Sequence, residues 1–203
     1  MTVRKGEAWG APGALPDHGV VVRTDAEARA VVSAARRVDE PVPPLGLLGG
    51  DLCRTLGGRG DEGRLRSGAA VVVQCDLGSV LVDGRLHWFV AHLVARRRWW
   101  WGRAFAAMNA AWLGEWNLGP RAHPGDGLLD TYDGRLPVRQ LLVARSRVPQ
   151  GAHLPHPAIC ERRTRALQVD LGRDLPIRLD GEVVTLGRRL SLRTEPDALT
   201  VVV

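Results

Sequence analysis

The chain has 203 residues, 45% of them hydrophobic, and a formal net charge of +6; this is enough apolar material for a real core and excludes a disordered or fibrous polymer. The positive charge sits almost wholly on arginines scattered along the chain, with Lys5 the lone lysine, a pattern that GC-rich coding explains better than a nucleic-acid-binding face. Cys53, Cys75 and Cys160 are far apart with no C-x-x-C pair, and the amino terminus has no apolar leader, so reduced thiols in a cytoplasmic protein are expected, with neither disulfide nor structural zinc.

In chain order, residues 1–19 are rich in Gly and Pro, hold Trp9, lack periodicity, and read as a loosely structured lead-in. Val20-Val21-Val22 is a short buried strand, Thr24 a helix cap with Asp25 and Glu27 in the first turn, and residues 26–38 carry apolar positions at helical spacing. After Pro41-Val42-Pro43-Pro44 comes a second strand, residues 45–48, then Gly49-Gly50-Asp51 and a helix over 52–56 closed by Gly57-Gly58. From residue 69 the pattern turns to strand: 69–75 and 79–82, the two-residue turn Asp83-Gly84, and a long return strand over 86–95. That last run is the longest apolar stretch, yet it is about half the length a bilayer-spanning helix requires. Residues 103–112 fit strand better than helix, and 137–147 fit one helix. Short strands follow over 166–171, 177–179, 183–186, 190–193 and 199–203. The expected fold is α+β: a small truncated α/β part over 20–68, then a larger β-sandwich of short antiparallel strands over 69–203.

The segment Gly119-Pro120-Arg121-Ala122-His123-Pro124-Gly125-Asp126-Gly127-Leu128-Leu129-Asp130 packs turn formers and carboxylates between apolar strands. One carboxylate among loop carbonyls suits a hard cation such as Mg2+, whereas a plain turn opening the next strand needs only Asp126-Gly127.

The order of several short motifs carries a family resemblance. Asn109, Gly114, Pro120, Ala122, Asp126-Gly127 and Asp130 follow an N-x-x-x-x-G, Pro-Ala, D-G-x-x-D pattern; Gly151-Ala152-His153, Asp180-Gly181-Glu182 and Pro196-Asp197-Ala198-Leu199-Thr200-Val201 follow in turn. In these features the chain resembles the diacylglycerol kinase and sphingosine kinase type of bacterial lipid kinase, within the superfamily that includes NAD kinase, over roughly residues 20–203. The resemblance implies a nucleotide-binding part joined to a β-sandwich. It also implies that Asp126 holds Mg2+, that Asp180 is the general base taking a proton from a lipid hydroxyl, and that Glu182 steers Asp180 or binds substrate. Asp126 and Asp180 are then expected near a common rim. Read without the resemblance, Asp180-Gly181 is an ordinary type I′ hairpin turn.

The amino-terminal half departs from that family. Where such kinases cradle ATP with G-G-D-G-T, this chain has Arg23-Thr24-Asp25-Ala26-Glu27, and the next motif is shortened to Gly49-Gly50-Asp51-Leu52-Cys53-Arg54. No room is left before residue 20 for the opening strand-helix pairs. A truncated, catalytically degenerate pseudokinase that binds a lipid or a partner is therefore expected, with Mg2+ a candidate cofactor and ATP a poor fit. The competing expectations are an active ATP-dependent lipid kinase, in which Gly49, Gly50 and Asp51 replace the lost loop, and a basic nucleic-acid-binding module. Arg96, Arg97, Arg98, Trp99, Trp100 and Trp101 place cations beside amphipathic rings and suit an anionic membrane or partner surface, or else a plain strand end. A cytoplasmic protein peripheral to the membrane fits this run, and a homo-oligomer is compatible with it. His153 and His156 are flanked by prolines that forbid paired helical ligation, and His123 suits a solvated loop.

Overall fold

The computed structural model describes residues 9–97, 102–134 and 158–203. The chain opens with β1 (Gly10–Pro12) and β2 (Val20–Val22), then α1 (Asp25–Arg37), β3 (Leu45–Leu47), α2 (Gly50–Thr55) and α3 (Glu62–Leu65). The remaining elements are β4 (Val71–Val82), β5 (Arg85–Phe89), β6 (His92–Ala95), β7 (Ala104–Met108), β8 (Leu129–Gly134), β9 (Ile159–Thr164), β10 (Ala166–Leu179) and β11 (Glu182–Val202).

Helix α1 forms where the sequence places it. The Thr24 hydroxyl accepts the Glu27 N–H at 3.1 Å, and the Glu27 carboxylate accepts the Arg23 N–H at 2.7 Å, so two otherwise unpaired donors are met at its start. Its inner face buries Ala28, Val32 and Ala35. One 11-stranded sheet runs β1-β4-β11-β10-β6-β7-β8-β9, with β5 beside β4. Among the described residues the parallel pairings are β2 with β3 and β3 with the carboxyl end of β11. Val80, Phe89, Leu93, Phe105, Ile177 and Leu192 come from both halves of this path and meet in one buried cluster, which closes the sheet into a sandwich. A second cluster, including Val22, Val32, Leu45, Leu52, Cys75 and Val201, fastens the α/β part to one end of it. The fold is thus a small α/β part with a larger, mostly antiparallel β-sandwich.

The strands are longer than the pattern suggests, because turn-forming residues are absorbed as irregularities. The two strands expected over 69–75 and 79–82 are one strand, β4; Gly78 sits in it because a Cβ there would lie 2.3 Å from the Phe89 ring, not because the chain turns. The strands over 166–171 and 177–179 are one strand, β10, with a register shift between Asp170 and Leu175 where Gly172 takes φ +80°. The three strands expected after Asp180 are one strand, β11, whose shift between Glu195 and Leu199 takes up Pro196 and Asp197. The single strand expected over 86–95 is instead split at Val90-Ala91. Residues 9–15 are not a loose lead-in: β1 pairs with β4, Leu15 is buried, and the Trp9 Nε1–H donates to the Gln74 carbonyl at 3.1 Å. α3 and β9 carry no sequence signal that marks them, and the helix expected over 137–147 lies outside the described residues. No helix among the described residues is long and apolar enough to cross a membrane.

Replacing Gly78 by Ala forces a methyl into the fully buried Phe89 ring. Urea unfolding should give a loss of about 1–3 kcal/mol, as for overpacked cores, and more if Phe89 cannot move.

Candidate functional site

The junction between the α/β part and the sandwich gathers carboxylates. Asp25, in the first turn of α1, is buried and accepts the Asp51 N–H at 2.5 Å and the Leu52 N–H at 3.1 Å. Its carboxylate therefore sits across the Gly49-Gly50 entrance to α2. A Cβ on Gly50 would lie 2.5 Å from Asp25 Oδ1, and one on Gly49 would lie 2.5 Å from the Arg23 carbonyl oxygen. Both faces of that entrance carry hydrogen-bond acceptors, the opposite of what a phosphate needs.

Asp51 accepts the Gly114 N–H at 2.9 and 3.0 Å through its two oxygens and meets His92 Nε2 at 2.8 Å. Burial works against ionisation of Asp51, but the His92 and Gly114 hydrogen bonds outweigh it and hold the carboxyl below its usual range. Burial likewise disfavours a charged His92, yet the bond to Asp51 and the surrounding carboxylates raise its pKa. Both shifts come from the 2.8 Å contact between the two side chains, and a cation bound there displaces the proton they share, because imidazole ligates only when neutral. Burial, with the nearby Asp180 charge, lifts Asp25 to about 6.

Asp180 occupies the first position of the two-residue turn between β10 and β11, with φ +50° followed by Gly181 at +88°. The turn is the expected type I′ hairpin, and its side chain points inward. With no exposed side-chain surface, the carboxylate accepts three consecutive backbone donors, Val90 N–H at 3.0 Å, Ala91 N–H at 2.8 Å and His92 N–H at 3.1 Å. Those three amides are lost to any strand ladder, which is why the run over 86–95 divides into β5 and β6. Arg29 spans the mouth: its Nε is 3.7 Å from Asp180, and its Nη2 is 2.5 Å from the exposed Glu182.

A ligand atom from each of Asp25, Asp51 and His92 lies within 4.8 Å of the others. Two carboxylates and an imidazole in this spacing suit a small divalent cation.

Asp126 is not in this group. Its carboxylate accepts the Leu128 N–H at 2.9 Å and pairs with Arg163, whose Nε is also 3.1 Å from Asp130, so a guanidinium meets the negative charge of that loop. The loop is fixed from below by Asp76, which accepts Gly127 N–H at 2.6 Å and Asp197 N–H at 3.1 Å, while its own N–H donates to the Pro124 carbonyl at 2.6 Å. Trp9 closes the other side: a Cβ on Gly125 would meet Trp9 Nε1 at 2.5 Å, and the indole lies 4.3 Å from the His123 ring. The two D-G turns are linked through Asn109, whose amide donates to the carbonyls of Asp76 and Val90, each at 2.8 Å.

The structure thus brings Asp180, Glu182, Gly49, Gly50 and Asp51 into one junction and places Asp126 beyond Asn109. Arg96 and Arg97 follow the far end of β6 from His92; Arg98, Trp99, Trp100 and Trp101 lie outside the described residues, as do His153 and His156. Sequence reasoning passed over Arg29, Asp76 and His92. The available signal was a charged or titratable residue inside an otherwise apolar run, Asp76 in β4 and His92 in β6.

Burial, with Asp126 close by, lifts Asp76 to about 6 from an ordinary 3.8, although the Gly127 N–H opposes the shift. The folded chain then holds a proton that the unfolded chain releases between about pH 4 and 6, so this residue makes the protein more stable as pH falls through that window. Asp76→Asn removes the term: relative to wild type, its unfolding free energy should worsen by on the order of 2–3 kcal/mol on going from above pH 6 to about pH 4. Denaturation at a series of pH values checks this.

The model of the YegS C-terminal NAD kinase beta sandwich-like domain family matches residues 78–203. Among solved structures, a candidate diacylglycerol kinase from Bacillus anthracis str. Sterne superposes with a TM-score of 0.70 at 12% identity, covering 91% of this chain and 77% of that one. A further structure of a candidate diacylglycerol kinase from Bacillus anthracis str. Sterne gives 0.68 at 11%, with 91% and 77% covered, and a diacylglycerol kinase structure from the same organism gives 0.65 at 12%, with 91% and 75% covered. No curated protein matches the chain significantly. The structural likeness at this identity concerns the fold, and the family match covers the sandwich from Gly78 to the last residue, Val203; the chain belongs to the YegS C-terminal NAD kinase β-sandwich-like domain family.

Proposed function

We propose that this protein is a catalytically degenerate relative of the diacylglycerol kinases that binds a lipid or a partner and does not transfer phosphate. The observation that carries the proposal is the Asp25 carboxylate seated on the Asp51 and Leu52 amides. A nucleotide phosphate approaching the Gly49-Gly50 entrance would meet a carboxylate and the Arg23 carbonyl in place of free N–H donors. Asp180 supports the same conclusion, because a general base must reach the substrate hydroxyl, and this one is enclosed with three amides on its oxygens.

Mg2+ or a similar divalent ion would be held here by Asp25, Asp51 and His92. Such an ion neutralises negative charge when bound; in this chain it would relieve the repulsion between Asp25 and Asp180. Arg29 keeps Glu182 beside Asp180, and His92 holds the Asp51 carboxylate in place. A second reading, an active kinase, draws on Glu182: its carboxylate is exposed, shares Arg29 with Asp180, and is free of backbone bonds among the described residues.

Two measurements test these readings. ATP-dependent label transfer to diacylglycerol and sphingosine-like lipids should stay at background; transfer that survives Asp180→Asn but vanishes in Glu182→Gln would establish the active reading. In a melting experiment Mg2+ or Mn2+ alone should raise Tm, by roughly 5–10 °C at a hundredfold excess over Kd, while ATP added on top should give no further rise. Asp51→Asn should abolish the metal response.

A further inference from the structure

Between β7 and β8 the chain forms a flap, residues 111–119, that leans on α2. The N–H groups of Asn109 and Ala110 both donate to the Ala91 carbonyl, at 2.9 and 3.0 Å, which ties the base of the flap to the segment that Asp180 braces. The Gly119 N–H closes that base by donating to the Ala111 carbonyl at 2.9 Å. At the far end Leu113 and Trp116 exchange two backbone bonds, of 2.7 and 3.1 Å, around the exposed pair Gly114-Glu115. Leu113 and Leu118 pack against the cluster of Val94, Met108 and Tyr132.

Three side chains of α2 also hold the flap. Thr55 Oγ1 accepts the Ala111 N–H at 3.0 Å, and the Arg54 guanidinium lies 3.5 Å from the Trp112 ring centre while donating to the Gly114 carbonyl at 2.8 Å. Asp51 supplies the third contact, with the Gly114 nitrogen 2.9 and 3.0 Å from its two oxygens. That amide sits between the oxygens, in the position a cation chelated by the carboxylate would take. Oδ2 also meets His92 Nε2 at 2.8 Å, so both of its lone pairs are engaged. His92 Nδ1 is buried without a partner, so among the described residues Asp51 alone hydrogen-bonds the ring.

We infer that Asp51 latches the flap of residues 111–119 and that a divalent cation bound by Asp25, Asp51 and His92 releases it. The inference rests on the cation reading proposed above and adds what that ion controls. A carboxylate that shares its charge with a cation is a weaker acceptor, and charge-assisted hydrogen bonds are roughly twice as strong as neutral ones. Gly114 then loses its latch, while the Asn109, Ala110 and Gly119 bonds at the base, which do not involve Asp51, remain. Linkage makes the coupling reciprocal: a flap already loosened costs the cation less to release, so it binds more tightly.

Amide exchange of the full chain, followed by NMR with and without saturating Mg2+, tests the release. Amides that exchange by global unfolding, such as those of β4, should slow, because an ion that binds the native fold stabilises it. Against that trend the Gly114 amide should exchange about fivefold to tenfold faster. Calorimetric titration with Mg2+ tests the reciprocal arm. Thr55→Val removes the acceptor of the Ala111 N–H and Trp112→Leu removes the ring under Arg54, and neither changes the charge near the cluster. Each should lower the Kd for Mg2+ by about threefold to fivefold. Asp51→Asn should abolish binding and leave Gly114 exchange indifferent to Mg2+. Mg2+ that binds while the Gly114 amide slows with β4 or stays unchanged would overturn the inference and leave the cation reading standing; so would a Kd that neither Thr55→Val nor Trp112→Leu lowers. No heat of binding and no Mg2+ effect on any amide would overturn both. Label transfer enters none of these outcomes, so the degenerate-kinase proposal stands or falls separately.

Discussion

The capture of three consecutive backbone amides by Asp180 is the constraint on which the arrangement depends. A buried carboxylate is costly unless its oxygens are filled, and here the amides of Val90, Ala91 and His92 fill them. Those amides are available only because β5 stops at Phe89 and β6 starts at His92. The break directs the His92 ring at Asp51 and leaves the Val90 carbonyl to Asn109. One side chain on a hairpin turn thereby sets the position of the carboxylate cluster and of the loop beyond it. Burial still raises the Asp180 pKa against the pull of His92 and the three amides, so the site is held together against an electrostatic cost.

The same device recurs across the junction. Asp25 caps the entrance to α2, Asp51 holds Gly114, and Asp76 holds Gly127 and Asp197. In each case a carboxylate that could have served chemistry instead ties one loop to another. Acidic groups that satisfy backbone donors have little capacity left for a phosphate or a hydroxyl, and this common use connects the fold to the proposed loss of turnover. Arg29 and Arg163 provide the compensating charge, one over each carboxylate group.

Much of this was legible in the sequence. The Thr24 cap, α1, the two D-G hairpin turns and the α+β division all follow from local patterns, because caps and type I′ turns depend on nearby residues. Strand lengths were not legible: Gly78, Gly172 and Pro196 look like breaks, and only the tertiary contact of Phe89 or the pairing with a neighbour shows that the strand continues. The reverse error, at Val90-Ala91, arises because the acceptor that breaks the strand is about ninety positions away. Asp180 and Asp51 stand in motifs legible in the sequence, whereas the pairing of Asp126 with Arg163 was not legible, because Arg163, on β9, carries no mark of its proximity.

Amide hydrogen exchange at Val90, Ala91 and His92 tests this account most directly. If the Asp180 carboxylate is a fixed structural acceptor, these three amides should exchange only with global unfolding, as the slowest core strands do, and Asp180→Ala should speed them far more than the amides of β4. Fast exchange at these amides in the native protein, with β4 still protected, would mean that the carboxylate leaves them readily and is free to act on a substrate, and would contradict the account.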